Sequence, residues 1–69
     1  MSFYNWMMQK YLKKDTWRGD LARDMKEDKN FPVDGEKESI LEHLKNRHAC
    51  SECIAVFKKC WRDYERAGN

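Results

Sequence analysis

Residues 51–68 read SECIAVFKKCWRDYERAG, and they form the longest uninterrupted helical pattern in the chain. Apolar side chains recur at the spacing of an α-helix, and charged side chains occupy the positions between them. A helix with one broad apolar face needs partners to cover that face. Ser51 can cap its start, and Gly68 can adopt the left-handed conformation that ends it. The apolar face consists of Ile54, Phe57, Trp61 and Tyr64, flanked by Cys53 and Cys60.

Three shorter segments carry the same kind of pattern and can supply that cover. We expect a first helix over residues 2–13, a second over 17–28 and a third over 36–47. Polar residues that can accept a hydrogen bond from a free helix amide stand at or just before each start. These candidate caps are Ser2 for the first helix, Asp15 or Thr16 for the second and Asp34 for the third.

The connections between these helices are short. A loop over residues 29–35 is centred on Phe31-Pro32, because proline disfavours helical backbone at the residue before it. Residues 48–50 are predicted to form a tight corner into the last helix. No strand-like alternation occurs. The sequence therefore predicts one all-α domain over residues 1–69, a compact bundle of four to five short helices with a longer C-terminal helix.

The periodicity also predicts which side chains are buried. In the second helix these are Trp17, Leu21, Ala22 and Met25, whereas Trp6 is expected at the margin of the first helix. Glycine inside a helix costs up to about 1 kcal/mol relative to alanine, and a close helix crossing is one reason to tolerate Gly19 in the first turn of the second helix. The predicted core consists of Phe3, Tyr4, Met7, Trp17, Leu21, Met25, Phe31, Ile40, Leu44, Ile54, Phe57, Trp61 and Tyr64.

Length and composition restrict the possible functions. A chain of 69 residues has no room for a second domain or a large interior pocket, so we predict no catalytic residues, no cofactor and no small-molecule substrate. Charged residues make up 38% of the chain, yet the net charge is only +2, whereas nucleic-acid binders are usually more basic. No segment approaches the roughly 20 apolar residues of a membrane span, and no signal peptide is recognisable. We therefore expect no membrane association and a cytoplasmic location.

Short motifs lie along nearly the whole chain in a specific order and spacing. They are Phe3-Tyr4, Trp6-Met7, Gly19-Asp20-Leu21-Ala22, Asp24, Asp28, Phe31-Pro32, Ala49-Cys50, Phe57 and Trp61 to Tyr64. Over residues 2–65 this pattern resembles the small bacterial YozE family. The resemblance implies a fold like that of the sterile alpha motif (SAM), but no established biochemical activity. SAM domains in general self-associate, bind other SAM domains or in some cases bind RNA or DNA. Cys53 and Cys60 depart from the family pattern.

Two charged stripes are the first candidate for a working surface. The acidic stripe on the second helix consists of Asp20, Asp24 and Asp28, and the basic stripe on the last helix consists of Lys58, Arg62 and Arg66. Residues four apart share a helix face. Both stripes are explained by solvation or by pairing within the molecule, since exposed ion pairs contribute little. The alternative is that the acidic stripe of one copy meets the basic stripe of another copy or of a partner protein, a head-to-tail contact.

A nucleic-acid interface is the rival hypothesis. The candidate patch consists of Lys10, Lys13, Lys14 and Arg18, with Trp6 or Tyr11 beside it. Basic side chains hold phosphates and aromatic rings stack on bases. The simpler interpretation is that the aromatic rings belong to the core and the lysines keep the surface soluble, which the small net charge favours.

The three cysteines admit several roles. An odd number fits a reducing compartment rather than a disulfide framework. Cys50 and Cys53, with His48 or His43 nearby, superficially resemble zinc ligands, but the second ligand pair of a structural zinc site is missing. No residue is recognisable that would orient a histidine for Cys-His catalysis. We expect all three cysteines to pack as small apolar side chains, and we predict no bound metal.

Overall fold

The computed structural model describes residues 1–68; Asn69, which the predicted domain includes, lies outside them. Within residues 1–68 the chain forms α-helices and no strand. The last helix is the longest, with 16 residues. The all-α class and the longer C-terminal helix are therefore confirmed, and the number of helices is four. They are α1 (Phe3–Tyr11), α2 (Trp17–Glu27), α3 (Lys37–Asn46) and α4 (Ser51–Arg66).

Two predicted helix caps are present. The Ser2 hydroxyl accepts a hydrogen bond from the Asn5 N–H at 3.2 Å and caps α1. Of the two candidates for α2, Thr16 is the cap, and its hydroxyl accepts from the Gly19 N–H at 3.2 Å. Such side-chain bonds satisfy amides that have no partner within the helix. The local sequence therefore specifies where α1 and α2 begin.

The other two predicted caps are wrong. Before α3 a turn closes with a hydrogen bond from the Gly35 N–H to the Pro32 carbonyl, which leaves Asp34 too early in the chain to cap the helix. Glu36 is the cap residue instead, and it makes no side-chain capping bond. In α4 the cap is Cys50, and Ser51 is already the first helical residue.

The core is built around aromatic rings from the two ends of the chain. The Phe3 ring lies with its centroid 5.0 Å from that of Trp61, 5.4 Å from Tyr64 and 5.5 Å from Phe57. Rings at these separations stabilise one another beyond simple burial. The other three helices all contact α4, as expected if they cover its apolar face. The full core consists of Phe3, Trp6, Met7, Leu21, Ala22, Met25, Phe31, Ile40, Leu44, Phe57, Cys60, Trp61 and Tyr64.

Four burial predictions fail. Trp17, expected inside, is 62% exposed, whereas Trp6, expected at the margin, is only 8% exposed. Tyr4 and Ile54 are half-buried rather than buried, and Tyr4 packs against the outside of the core. The helical pattern identifies a stripe, but the rotation of each helix about its axis decides which side of that stripe is covered.

Gly19 sets the contact between α1 and α2. A Cβ atom on Gly19 would lie 1.9 Å from the Lys14 carbonyl oxygen and 3.0 Å from that of Tyr11. The Arg23 guanidinium donates to two carbonyls of the same linking segment, those of Lys14 at 2.9 Å and Leu12 at 3.1 Å. The backbone approaches Gly19 closely, as expected, but the approach is made chiefly by the segment that follows α1 and not by a crossing of two helices.

The corner before α4 and the end of α4 both use left-handed backbone. His48, in the predicted tight corner, has φ 60°, and Gly68 has φ 84° as expected after the last helix. Every helix within residues 1–68 is too short or too polar to span a bilayer.

Candidate functional site

The acidic stripe does not exist as predicted, because its third member points elsewhere. Asp20 and Asp24 are exposed on α2, and Asp20 forms an ion pair with Arg23 one turn further along the helix. The helix ends at Glu27, and Asp28 has extended backbone. The Asp28 side chain is only 8% exposed. One of its oxygens lies 2.6 Å from His43 Nε2, and the other lies 3.2 Å from the Arg47 guanidinium. Asp28 therefore joins α2 to α3 and is not available to a partner.

The surroundings of Asp28 act on its pKa in opposite directions. Burial raises the pKa of the carboxyl, whereas hydrogen bonds from His43 and from the Asn30 N–H, with the charge of Arg47, lower it. The lowering effects win, and the pKa of Asp28 lies below its usual value. A buried carboxylate with these partners is a structural element.

In place of the stripe, the structure has an acidic groove between α2 and the first turns of α4. Its floor and walls are mainly apolar, and its volume is ≈ 320 Å³. A second hollow shares Leu21, Asp24 and Cys53 with it and continues the same wall toward Phe31 and Arg47. The groove is lined by Trp17, Leu21, Cys50, Cys53 and Val56, with Asp20, Asp24 and Glu52 as its acidic residues.

Trp17 and Glu52 are the groove residues that the sequence reasoning missed. Trp17 is the first residue of α2, and a first turn often projects beyond the bundle that covers the rest of the helix. Glu52 stands in the first turn of α4, where a carboxylate is favourable beside the helix N-terminus. The position of Glu52 in the sequence indicates only where α4 begins. It does not indicate that α2 forms the opposite wall of the groove.

The basic stripe of Lys58, Arg62 and Arg66 is present and exposed on α4. Arg66 lies 3.8 Å from Asp63 on its own helix. Within residues 1–68, Lys58 and Arg62 have no carboxylate within ion-pair distance. The interpretation that this stripe pairs inside the molecule therefore fails for two of its three members.

The acidic groove and the basic stripe face different directions. Val56 on the groove wall and Arg62 in the stripe are six residues apart on α4, so at about 100° per residue they point about 120° apart. Arg62 is likewise about 160° from the buried Tyr64 side chain. The stripe thus lies on the side of α4 opposite the core, and the groove lies on a flank. One molecule cannot bring the two surfaces together.

The predicted nucleic-acid patch is only partly assembled. Arg18 forms an ion pair with Asp63 and a 3.1 Å hydrogen bond to the Tyr11 hydroxyl. The Lys10 ammonium lies 5.7 Å from the centroid of the Trp6 ring, which is itself buried. Cation–π contacts of this kind use the ring face that a base would need. Lys13 and Lys14 are exposed.

The cysteines occupy three different environments. Cys60 is buried as predicted, and burial raises the pKa of its thiol to about 11. Cys53 is half-buried, but Cys50 is exposed, so the packing interpretation is wrong for Cys50. The sulfur atoms of Cys50 and Cys53 are 2.9 Å apart. Within residues 1–68, no group of three or more His, Cys, Asp or Glu side chains is arranged to hold a metal ion.

The fold and the site define a small all-helical bundle that has a surface groove and a separate basic face. The family model described as YozE SAM-like fold matches residues 2–66, nearly the whole chain. The chain belongs to this family of uncharacterised SAM-like proteins, and the resemblance noted from the sequence is confirmed. No significant match was found among curated proteins or among solved structures.

Proposed function

We propose that this chain is a non-enzymatic, cytoplasmic protein-interaction module that associates head to tail. The acidic groove of one copy, defined by Asp20, Asp24 and Glu52, receives the basic stripe of the next copy. The observation that carries the proposal is the placement of two oppositely charged, exposed surfaces that one molecule cannot join. Contacts between two different surfaces repeat from copy to copy and give rings or filaments.

Charge alone gives too little affinity, so the apolar wall of the groove has to contribute. Asp20 is already paired with Arg23, so Asp24 and Glu52 are the carboxylates that gain new partners. Two exposed ion pairs contribute at most about 2 kcal/mol together, which is less than the cost of bringing two molecules together. Trp17 is 62% exposed and stands on the groove wall, where the aliphatic stems of arginine and lysine can cover it. The proposal therefore requires Trp17 to become buried in the complex.

The experiment is sedimentation velocity over a wide concentration range at low and at high salt. We expect a concentration-dependent assembly at low salt that weakens as the ionic strength rises, because exposed charges are screened. Asp24→Lys and Arg62→Glu should each weaken association by at least about tenfold, since each replaces an attraction by a repulsion. Lys45→Glu is the matched control, because it makes a charge reversal on the exposed surface of α3.

Mixing the two variants distinguishes head-to-tail contact from other modes. The Asp24→Lys chain keeps an intact basic stripe, and the Arg62→Glu chain keeps an intact acidic groove. Together they should form a heterodimer with no further growth, although neither variant assembles alone. A wild-type chain that is monomeric at every concentration and salt level would refute the proposal, and so would a symmetric dimer insensitive to both substitutions.

A further inference from the structure

Cys50 and Cys53 form a pair of thiols whose chemistry is not used in the proposed head-to-tail docking. Cys50 is the N-cap of α4, and its sulfur accepts a hydrogen bond from the Cys53 N–H at 3.3 Å. The two thiols are also hydrogen-bonded across 2.9 Å, with the Cys50 thiol donating to the Cys53 sulfur, and ionisation of Cys50 makes the Cys53 thiol the donor. The third cysteine, Cys60, is fully buried on the core side of the same helix. Within residues 1–68, Cys50 and Cys53 are therefore the cysteines that reagents in solution can reach.

The two thiols are chemically different. Hydrogen bonds from the Cys53 thiol and then from the Cys53 N–H lower the pKa of Cys50, although the nearby Glu52 carboxylate opposes the effect. The same thiol–thiol bond, followed by burial, raises the pKa of Cys53. Cys50 is exposed and Cys53 is half-buried. An exposed thiol that ionises first and a shielded thiol beside it are the arrangement required of an attacking and a resolving cysteine.

The geometry also permits the two sulfurs to join. Their separation of 2.9 Å must shorten by less than about 1 Å to reach a bonded distance. Both side chains line the acidic groove, where Asp24 and Glu52 create a negative potential, while the Asp20 carboxylate is paired with Arg23. A cleft with charge of one sign raises the local concentration of small molecules of the opposite charge.

We propose that Cys50 and Cys53 are a reactive dithiol that is oxidised by small disulfides, with a preference for cationic ones. The Cys50 thiolate attacks one sulfur of the small disulfide, forms a mixed disulfide and releases one thiol. Cys53 then attacks the Cys50 sulfur, the mixed disulfide breaks and the second thiol leaves. The protein loses two electrons and two protons, which reduce one small disulfide to two thiols.

The first test follows the reaction with cystamine, a dicationic disulfide, by intact-mass spectrometry and peptide mapping. The protein should lose the mass of two hydrogen atoms, and mapping should locate the new bond between Cys50 and Cys53 with Cys60 still a free thiol. Cys50→Ser should slow the reaction by at least about tenfold, because the remaining thiols are shielded and less ionised. Cys53→Ser should stop at a stable cysteamine adduct on Cys50.

Opposite outcomes would overturn the dithiol assignment. A stable adduct on the wild-type chain would mean that Cys53 does not resolve it, and an unchanged rate in Cys50→Ser would mean that Cys50 does not attack. Circular dichroism of both serine variants verifies that α4 is intact. The reaction is run at a concentration where sedimentation finds monomer, so its result does not depend on head-to-tail assembly.

The second test measures the preference for cationic disulfides. The protein is reacted with cystamine and with oxidised glutathione, which is anionic. Each rate is divided by the rate at which the same disulfide reacts with N-acetylcysteine, because this division removes the difference in intrinsic reactivity between the two disulfides. The corrected ratio should favour cystamine by about tenfold at low salt and approach unity at high salt. The double variant Asp24→Asn, Glu52→Gln should lower the ratio, whereas Glu42→Gln on α3 should not. A ratio near unity at low salt would refute the cationic preference.

Discussion

Replacing Gly19 with alanine sets helix propensity against packing, and the structure indicates that packing wins. Alanine is the better helix former by up to about 1 kcal/mol, so propensity alone predicts a more stable protein. The new Cβ atom, however, would lie 1.9 Å from the Lys14 carbonyl oxygen, whereas ordinary contact begins at 3.4 Å. The linking segment or α2 therefore has to move by about 1.5 Å, which is the difference between those distances.

That movement disturbs a tightly bonded segment. The Lys14 carbonyl also accepts from Arg23 at 2.9 Å, and the Lys14 N–H donates to the Tyr11 carbonyl at 2.9 Å. Overpacking of this kind costs about 1–3 kcal/mol, and disruption of these two hydrogen bonds adds about 1 kcal/mol for each. After the propensity gain, Gly19→Ala should lower the free energy of unfolding by about 2–4 kcal/mol. This is a large part of the total stability of so short a chain.

Thermal and urea unfolding followed by circular dichroism measure this difference. The midpoint temperature should fall by at least about 8 °C, since 1 kcal/mol corresponds to about 4–8 °C in a domain of this size. Ala55→Gly, on the exposed side of α4, calibrates propensity within the same protein and should cost about 1 kcal/mol. A higher midpoint for Gly19→Ala would refute the close contact and leave propensity as the governing effect.

Three further predictions follow from burial and charge. Trp61→Ala should cost about 3–5 kcal/mol in urea unfolding, because the ring is 7% exposed and packs against the Phe3 ring with centroids 5.0 Å apart; an unchanged midpoint would contradict this placement. Trp17→Ala should change stability by less than about 0.5 kcal/mol yet weaken self-association in sedimentation, and a large loss of stability would show that the ring is part of the core. The pKa of Asp28 is lowered in the folded state, so its contribution is complete above the unfolded-state pKa and is lost as the pH falls through the folded-state value. Acid titration of stability should therefore show a smaller loss in Asp28→Asn than in the wild type, and identical pH profiles would contradict the assignment.

The sequence predicted the helices well because their signals are local. Capping by Ser2 and Thr16 and the loop at Pro32 depend on neighbours within a few residues, and the structure contains all three. Phe57 and Trp61 were also predicted correctly, since a strong 3.6-residue period on a long helix identifies its buried side. Interactions between residues close in the sequence were therefore sufficient to predict that these elements exist and that they are helices.

The exposure of Trp17 was beyond local reasoning. Residues 17, 21 and 25 have helical spacing, and Leu21 and Met25 are buried, but Trp17 is the first residue of α2 and is 62% exposed. The neighbouring Arg18 pairs with Asp63, 45 residues further along the chain, and a single sequence contains no signal for such a contact. The same limit explains Asp28, whose partner His43 lies on α3.

The acidic groove connects the two proposals through thermodynamic linkage. A basic stripe that docks over Cys50 shields its thiol, so assembly should slow the reaction with cystamine. Conversely, the Cys53→Ser variant retains a cysteamine adduct on Cys50, which places a positive charge in the groove. This charge repels Lys58 and Arg62 of the docking copy. Because coupling between two binding events is reciprocal, both effects must correspond to the same free energy when they are measured at equilibrium. Assembly that leaves the Cys50 adduct equilibrium unchanged would therefore mean that the docking surface is not this groove, even if both activities exist.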